Sequence, residues 1–567
     1  VTALLRARRV DVMLAGMAAV IALVTSCSPA GPGGGTPPPT ISQPPPVGDP
    51  SSRVGSLQVG QAGYPVPEGA LFVDAVRGRD SSSGDSKHPF RTIQGALDRA
   101  QNGQTVVVRE GEYHETIYAN TAVVIQNAPG EAVWLDGSRE ALEWTQDADG
   151  WSTPMPAVLD REIGPDNGDP YVSASHPAAA EPEMLFRDDT QLRQVLSRDA
   201  LGEDSFMADR RRKRLYIGGS PQGHRWRTAA LAQAIVVSSP DVTIRGIGIR
   251  RYGNSVRTQG AVYLARRGDL VEDVVIEDVA TTGLTFYSEG NEGTGTARHV
   301  TVRRAGLMGI GGSQADHLRI SGALVEEANS ERFNATPNSA GIKVTSSRGV
   351  IIQDTTVRNS FDTTGIWLDE SVVGFGVDRN RVVSNGITGI SAELSSHGRI
   401  ADNIVRDHEF GVVLYSSGDI DVLGNSISDN TGIDLDLRQD HRRQNDPRAN
   451  GHDPRFPPGD TTNPWLVQNV RIRCNVLGPG PAQTRLRAVD LATGIPADHM
   501  GISVSGTTFV VGGGTTVAQW GTGDQQRTRD VAGPGDLPSA TGERANVVAS
   551  ATSSPKPCNA HDGGSSN

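Results

Sequence analysis

Between residues 260 and 440 the chain repeats one pattern: a glycine, then a few residues in which apolar and polar side chains alternate. AGIKVT from Ala340, TGIWLDES from Thr364, TGISAELS from Thr388 and FGVVLYSS from Phe410 are four instances. Alternation with a period of two predicts strands with one face buried. The glycines stand at 260, 283, 309, 341, 365, 389, 411 and 432, in steps of 23, 26, 32, 24, 24, 22 and 21 residues. Further short strands fall between them, among them GVIIQDTTV, GRIADNIV and DIDVLGNSI. About three short strands per unit with no intervening helix predict stacked parallel coils, an all-β solenoid. Asn380, Asn403 and Asn425 recur 23 and 22 residues apart, and such asparagines are expected to stack at one turn, bonding to backbone and to each other.

The pattern changes on either side. Ile93, Ala96, Leu97 and Ala100 follow helical spacing, broken by Asn102-Gly103 before the strand-like run from Thr105 to Arg109. One short helix leading into strands is expected to cap the solenoid's open end. Residues 141–234 lose the rhythm, carry Trp144, Trp151 and Trp226 and contain hairpin-like pieces, so they read as a small β insertion forming one wall of a cleft. The resulting division is 1–26 leader, 27–63 linker, 64–140 cap and first coils, 141–234 insertion, 235–480 repeats and 481–567 closing strands with a flexible tail.

The leader places Arg6, Arg8 and Arg9 before MLAGMAAVIALVTS and ends in Val24-Thr25-Ser26-Cys27. That tetrapeptide resembles a bacterial lipobox, which implies cleavage before Cys27 and lipidation of its thiol; an ordinary secretory peptide cut elsewhere is the alternative. The expected location is outside the cytoplasm, held to the cell membrane by the lipid. Residues 27–63 are rich in Pro, Gly and Ser and predict an extended stalk. Cys474 and Cys558 then remain, and in an exported chain they are expected to pair; free thiols are the alternative, and no metal site is predicted for them.

Composition agrees with many turns and short strands: 567 residues with 67 glycines and 5% aromatics. A net charge of −12 without a basic block argues against nucleic acid as a partner. Four lysines occur, and Lys343 alone lies on the repeats.

The opening FVDAVRGRDSSSGDSKHPFRTIQGALDRAQNGQTVVVREGEYHE together with the glycine-spaced coils resembles the right-handed parallel β-helix superfamily, the pectate-lyase-like fold. The resemblance spans roughly residues 64 to 480 and extends into the following segment, where GTTFVVGGGTTVAQWGTG looks like the closing strands of such proteins; it implies a right-handed coil with the N-terminal helical cap and the β insertion. Its members include lyases, hydrolases, epimerases and non-catalytic surface proteins, so it implies a fold more than an activity.

Aligning the coils on their glycines sends the second and fourth residues after each glycine outward. One column reads Lys343, Trp367, Ser391, Val413, Asp434, and the other Thr345, Asp369, Glu393, Tyr415, Asp436. Asp369 and Glu393 are then neighbours about 4.8 Å apart, which like charges make unfavourable. Retaining glycoside hydrolysis uses two carboxyls about 5–5.5 Å apart. Trp367 is placed to stack on a sugar ring, with Ser391 beside it and Tyr415 one coil on to bind a hydroxyl or tune the nucleophile. GIWLDES, followed by an acidic strand one coil later, is similar to the β-helix β-xylosidase family of glycoside hydrolases. That resemblance implies Asp369 as nucleophile and Glu393 as acid/base, with no cofactor and with an oligosaccharide or polysaccharide as partner.

Two other readings stay open. Elimination or epimerisation on a uronic acid would use Lys343 as the base, with Ca²⁺ as its admissible ion. A non-catalytic glycan-binding or surface protein would use the same face only to bind. The acids on the outward face also have a plain reading as a solvated surface. Asp434, Asp436 and Asp440 are expected to cap a turn or bind a cation, and His317, His397 and His408 to be loop residues.

Overall fold

The computed structural model describes residues 53–141, 143–147, 150–161, 170–256, 258–288, 294–524, 526–539, 543–550 and 555–558. The predicted leader, Cys27 and the linker up to residue 52 lie outside the described residues.

The coils close into a right-handed parallel β-helix of three faces. One face is a 13-stranded sheet running from Leu71–Val73 to Ser503–Ser505. A second carries Ala340–Thr345, Thr363–Asp369, the end of Arg381–Glu393, the end of Ile404–Tyr415 and Ile433–Gln439 in succession. The third carries Leu324–Glu326, Thr356–Arg358, the start of Arg381–Glu393 and Ser426–Ser428. Inside, like stacks on like: Ile310, Ile342, Ile366, Ile390, Val412 and Leu435 are consecutive partners and fully buried. Burying each such side chain contributes about 1.5–3 kcal/mol.

The glycine column has a packing cause. A Cβ at Gly341, Gly365 or Gly389 would come within 2.3–2.4 Å of Val357, Val382 or Val405 on the third face. Each glycine thus lets a valine fill the corner between two faces. At the next coils this corner is rebuilt: Phe410 pairs with Ile433, so Asp434 follows Gly411 in the column, and Arg485 follows Asp434. Asp434 and Arg485 are buried and paired at 2.9 Å.

The asparagine ladder forms, and it runs further than the spacing indicated. Asn380 donates to Asn403 at 3.1 Å, Asn403 to Asn425 at 2.9 Å, and Asn425 to Asn475 at 2.9 Å. A second ladder holds Asn385, His408 and Asn430. His408 is therefore not a loop residue: it lies in the strand Ile404–Tyr415 and is buried. Burial pushes its pKa down to about 4. The folded protein keeps His408 neutral while the unfolded chain takes up a proton near pH 6.5, so stability present above that value should be lost as pH falls from about 6.5 toward about 4. His408→Asn, measured by denaturant unfolding across that range, should flatten the loss; an unchanged slope would assign the loss to other groups.

The cap helix Ile93–Leu97 begins at Thr92, whose hydroxyl accepts from the Gly95 amide, and buries Ile93, Ala96 and Leu97. The insertion forms two small, mostly antiparallel sheets, and its strand Trp226–Ala229 pairs with Ser138–Glu140. Its own core includes Leu185, Phe206, Leu215 and Trp226.

One boundary differs from the sequence reading. From Arg53 onward the linker is no free stalk: Arg53 pairs with Asp273 at 2.6 Å, Gly55 donates to the Gly322 carbonyl, and Ser56 to Thr301. The segment lies along the corner between the 13-stranded face and the third face because those turns offer acceptors to its amides. The coils continue past residue 480 through Thr484–Asp490 and Thr516–Gly521, the second of which lies in the segment read as closing strands. The long connection from Asp440 to Val470 hides their period. Cys474 and Cys558 form a disulfide across 84 residues.

Candidate active site

Asp369 and Glu393 close adjacent strands of the second face. Trp367 faces Ser391 and Leu368 faces Ala392, which sets the two carboxyl-bearing residues side by side at the strand spacing of about 4.8 Å. Glu393 faces Tyr415, and Tyr415 faces Arg438.

Each carboxylate has a cation. Lys343 Nζ is 2.9 Å from Asp369 Oδ2, and both side chains are buried. The same ammonium donates to the Pro337 carbonyl at 2.5 Å and stands 3.6 Å from the centre of the Trp367 ring. The Glu370 amide donates to Asp369 Oδ1 at 2.8 Å. Glu393 Oε1 receives Arg442 at 2.7 Å, and Arg442 also holds Asp440 at 2.8 Å. Burial is the main force raising the Glu393 pKa; the negative Asp369 adds to it, while Arg442 and Lys343 oppose it. Burial and then Asp369 likewise raise Glu370, against Lys343. The Tyr415 hydroxyl, bonded to Asp440, is pushed up by burial and by that carboxylate.

The arrangement corrects several expected roles. Trp367 is 6% exposed and its ring face is taken by the ammonium of its register partner Lys343, so no sugar stacks there. Ser391 is buried between Trp367 and Val413. Lys343 is held in place by a carboxylate, a carbonyl and a ring. Tyr415 adjoins Glu393 and lies two coils from Asp369. At the last coil the columns shift by two: Val413 faces Asp436 and Tyr415 faces Arg438. Gly432 precedes the strand and does not occupy the glycine column. Asp436 is held by Arg487 at 2.7 Å and Asp440 by Arg442. Among the described residues no group of three or more His, Cys, Asp or Glu is arranged to hold a metal.

The insertion packs against the beginnings of the face strands, where Ala179 and Ala180 meet Leu307, Met308 and Phe333. The ends of those strands, where both carboxylates sit, are lined instead by the Asp440–Val470 connection. It is fastened by Arg455, which grips Asp316 at 2.9 Å and donates to the Ser346 carbonyl at 2.6 Å. Ser371 donates to the Gly451 carbonyl and Asn463 to the Leu394 carbonyl. Sequence reasoning missed Arg442 because this connection has no periodicity. It missed Glu370 because that residue has a φ of +51°, which ends the in–out alternation; the adjacent pair Asp369-Glu370 was its only trace.

These features define the chain as a right-handed parallel β-helix protein with a cation-matched carboxylate pair, one member buried and the other half-buried, at the end of one outward face. Residues 260–441 match the family described as the right handed beta helix region, and residues 76–129 a family of unknown function, DUF1565. The chain is 48% identical over 47 residues to the uncharacterized protein YwoF of Bacillus subtilis (strain 168), a match spanning 8% of this chain and 10% of YwoF. The solved structure described as the complex of XylC with xylose superposes with a TM-score of 0.64 at 15% identity, covering 86% of this chain and 87% of that one. At that identity the likeness is one of fold.

Proposed function

We propose that this protein is an exported glycoside hydrolase of the retaining type, with Asp369 as nucleophile and Glu393 as acid and then base. The observation that carries the reading is the placement of two carboxyls, Asp369 buried and Glu393 half-buried, on neighbouring strands at about the separation a retaining enzyme needs. The fold shared with XylC, whose structure is described as a complex with xylose, supports a carbohydrate as substrate. Asp369 attacks the anomeric carbon while the glycosidic C–O bond breaks, its electrons passing to the leaving oxygen, which takes the Glu393 proton. Glu393 then removes a proton from water, whose oxygen displaces Asp369 from the sugar. The raised pKa of Glu393 keeps a proton available at higher pH, and Lys343 stabilises the departing Asp369 carboxylate.

Mass spectrometry of neutral and uronic-acid oligosaccharides after incubation with the protein tests this reading. Fragments whose masses sum to the substrate plus one water, with the anomeric configuration kept by NMR, are expected. Fragments that sum to the substrate with one unsaturated would overturn it in favour of elimination. No change with any substrate would leave a glycan-binding role.

Arg442→Gln removes the cation that favours the ionised form of Glu393. The acid form is the active one in the first step, so activity falls as pH rises through the Glu393 pKa. The alkaline limb of kcat/KM should therefore move upward by about one unit or more; a limb that stays or moves down would mean that Arg442 does not govern Glu393.

Export and anchoring rest on the leader sequence. Cys27→Ala should shift the protein from the membrane fraction to a soluble one, and continued membrane association would exclude lipidation of Cys27 as the anchor.

A further inference from the structure

Arg438 stands in the outward column one coil beyond Tyr415. Its guanidinium carbon lies 4.8 Å from the centre of the Tyr415 ring and 5.3 Å from that of Phe410. Its Nε is buried and has no hydrogen-bond partner among the described residues. The neighbouring carboxylate, Asp436, is 3.6 Å away and is already engaged by Arg487 through two bonds of 2.8 and 2.7 Å. The other guanidinium beside Tyr415, that of Arg442, is matched by Glu393 and Asp440. Arg438 thus lies against the rings of Tyr415 and Phe410 on the outward face, partly exposed, with hydrogen-bonding capacity left over among the described residues.

Its position gives that capacity a meaning. Glu393, Tyr415 and Arg438 are consecutive partners, so Arg438 lies two strand spacings, roughly 10 Å, beyond Glu393, on the side away from Asp369. In the proposed reaction the sugar that Asp369 attacks lies on the nucleophile's side, and the leaving group lies beyond the acid. We propose that Arg438 selects a leaving-group sugar bearing an anionic group, either the carboxylate of a uronic acid or a sulfate ester. A guanidinium stacked on rings keeps its edge free for a two-pronged bond to such an oxyanion, and in a partly buried site that bond is stronger than in water. The assignment of Arg438 to the leaving-group side rests on the retaining-hydrolase reading.

Calorimetry on the full chain tests it with three probes: methyl glucuronoside, its uncharged methyl ester, and methyl glucoside 6-sulfate. One or both anions should bind at least about tenfold more tightly than the ester, and the tighter of the two names the source of the charge. Arg438→Gln should bring all three within about twofold, and Arg438→Lys should keep part of the preference. Equal binding of all three probes, binding of none, or a preference that survives Arg438→Gln in a folded protein would overturn the proposal. These results are independent of the cleavage assay: water-adding cleavage without anion preference removes the role of Arg438 alone, whereas Arg438-dependent anion binding without cleavage removes the hydrolase reading and leaves an anion-binding face.

Discussion

Asp369→Ala is expected to abolish hydrolysis, lowering kcat at least about 1000-fold, and to destabilise the fold by about 3–5 kcal/mol. The two losses have different origins. The first follows from removal of the atom that bonds the sugar. The second follows from Lys343, whose ammonium is buried and loses its carboxylate partner at 2.9 Å, keeping the Pro337 carbonyl and the Trp367 ring. Adding Lys343→Met should restore much of the stability, because the unpaired charge is gone, and none of the activity. Denaturant unfolding and a cleavage assay on the same three proteins separate the effects. A stable Asp369→Ala protein would show that the pair is not buried in solution, and an active one would end the nucleophile assignment.

Glu393→Gln should lower kcat by about 100- to 10,000-fold for glycosides with sugar leaving groups, since nothing then protonates the departing oxygen. A glycosyl fluoride, whose leaving group needs no proton, should still glycosylate Asp369. The covalent intermediate should accumulate, because the second step also lacks its base, and mass spectrometry of the intact protein would detect the added sugar. Equal slowing of both substrates would mean that Glu393 positions the site without transferring a proton. Asp369→Ala should form no adduct with either substrate, so the two variants distinguish the two carboxyls.

Much of the fold is legible in the residues, and its failures are local. The glycine column from Gly283 to Gly411 aligns in the structure because each glycine answers a side chain, mostly valine, on the adjoining face. The same rule misleads at Gly432: once Asp434 and Arg485 fill the corner as an ion pair, the column needs no glycine there, and the spacing of glycines ceases to mark register. The asparagine ladder is visible up to Asn425, while Asn475, its next member, is set 50 residues on by the Asp440–Val470 connection. Alternation correctly sends Trp367 outward, yet outward is not exposed: Lys343 is its partner on the neighbouring strand and covers it.

The sequence by itself therefore determined the solenoid and the adjacency of Asp369 and Glu393, because a two-residue period and a repeat of 21 to 32 residues dictate which side chains share a face and a level. Only the tertiary structure decided their electrostatic state. Lys343, a coil earlier, Arg442, from an aperiodic connection, and Arg438, two coils past Glu393, meet the site through packing between coils. The charge, burial and pKa of a carboxyl depend on what surrounds it in space, which no period along the chain encodes.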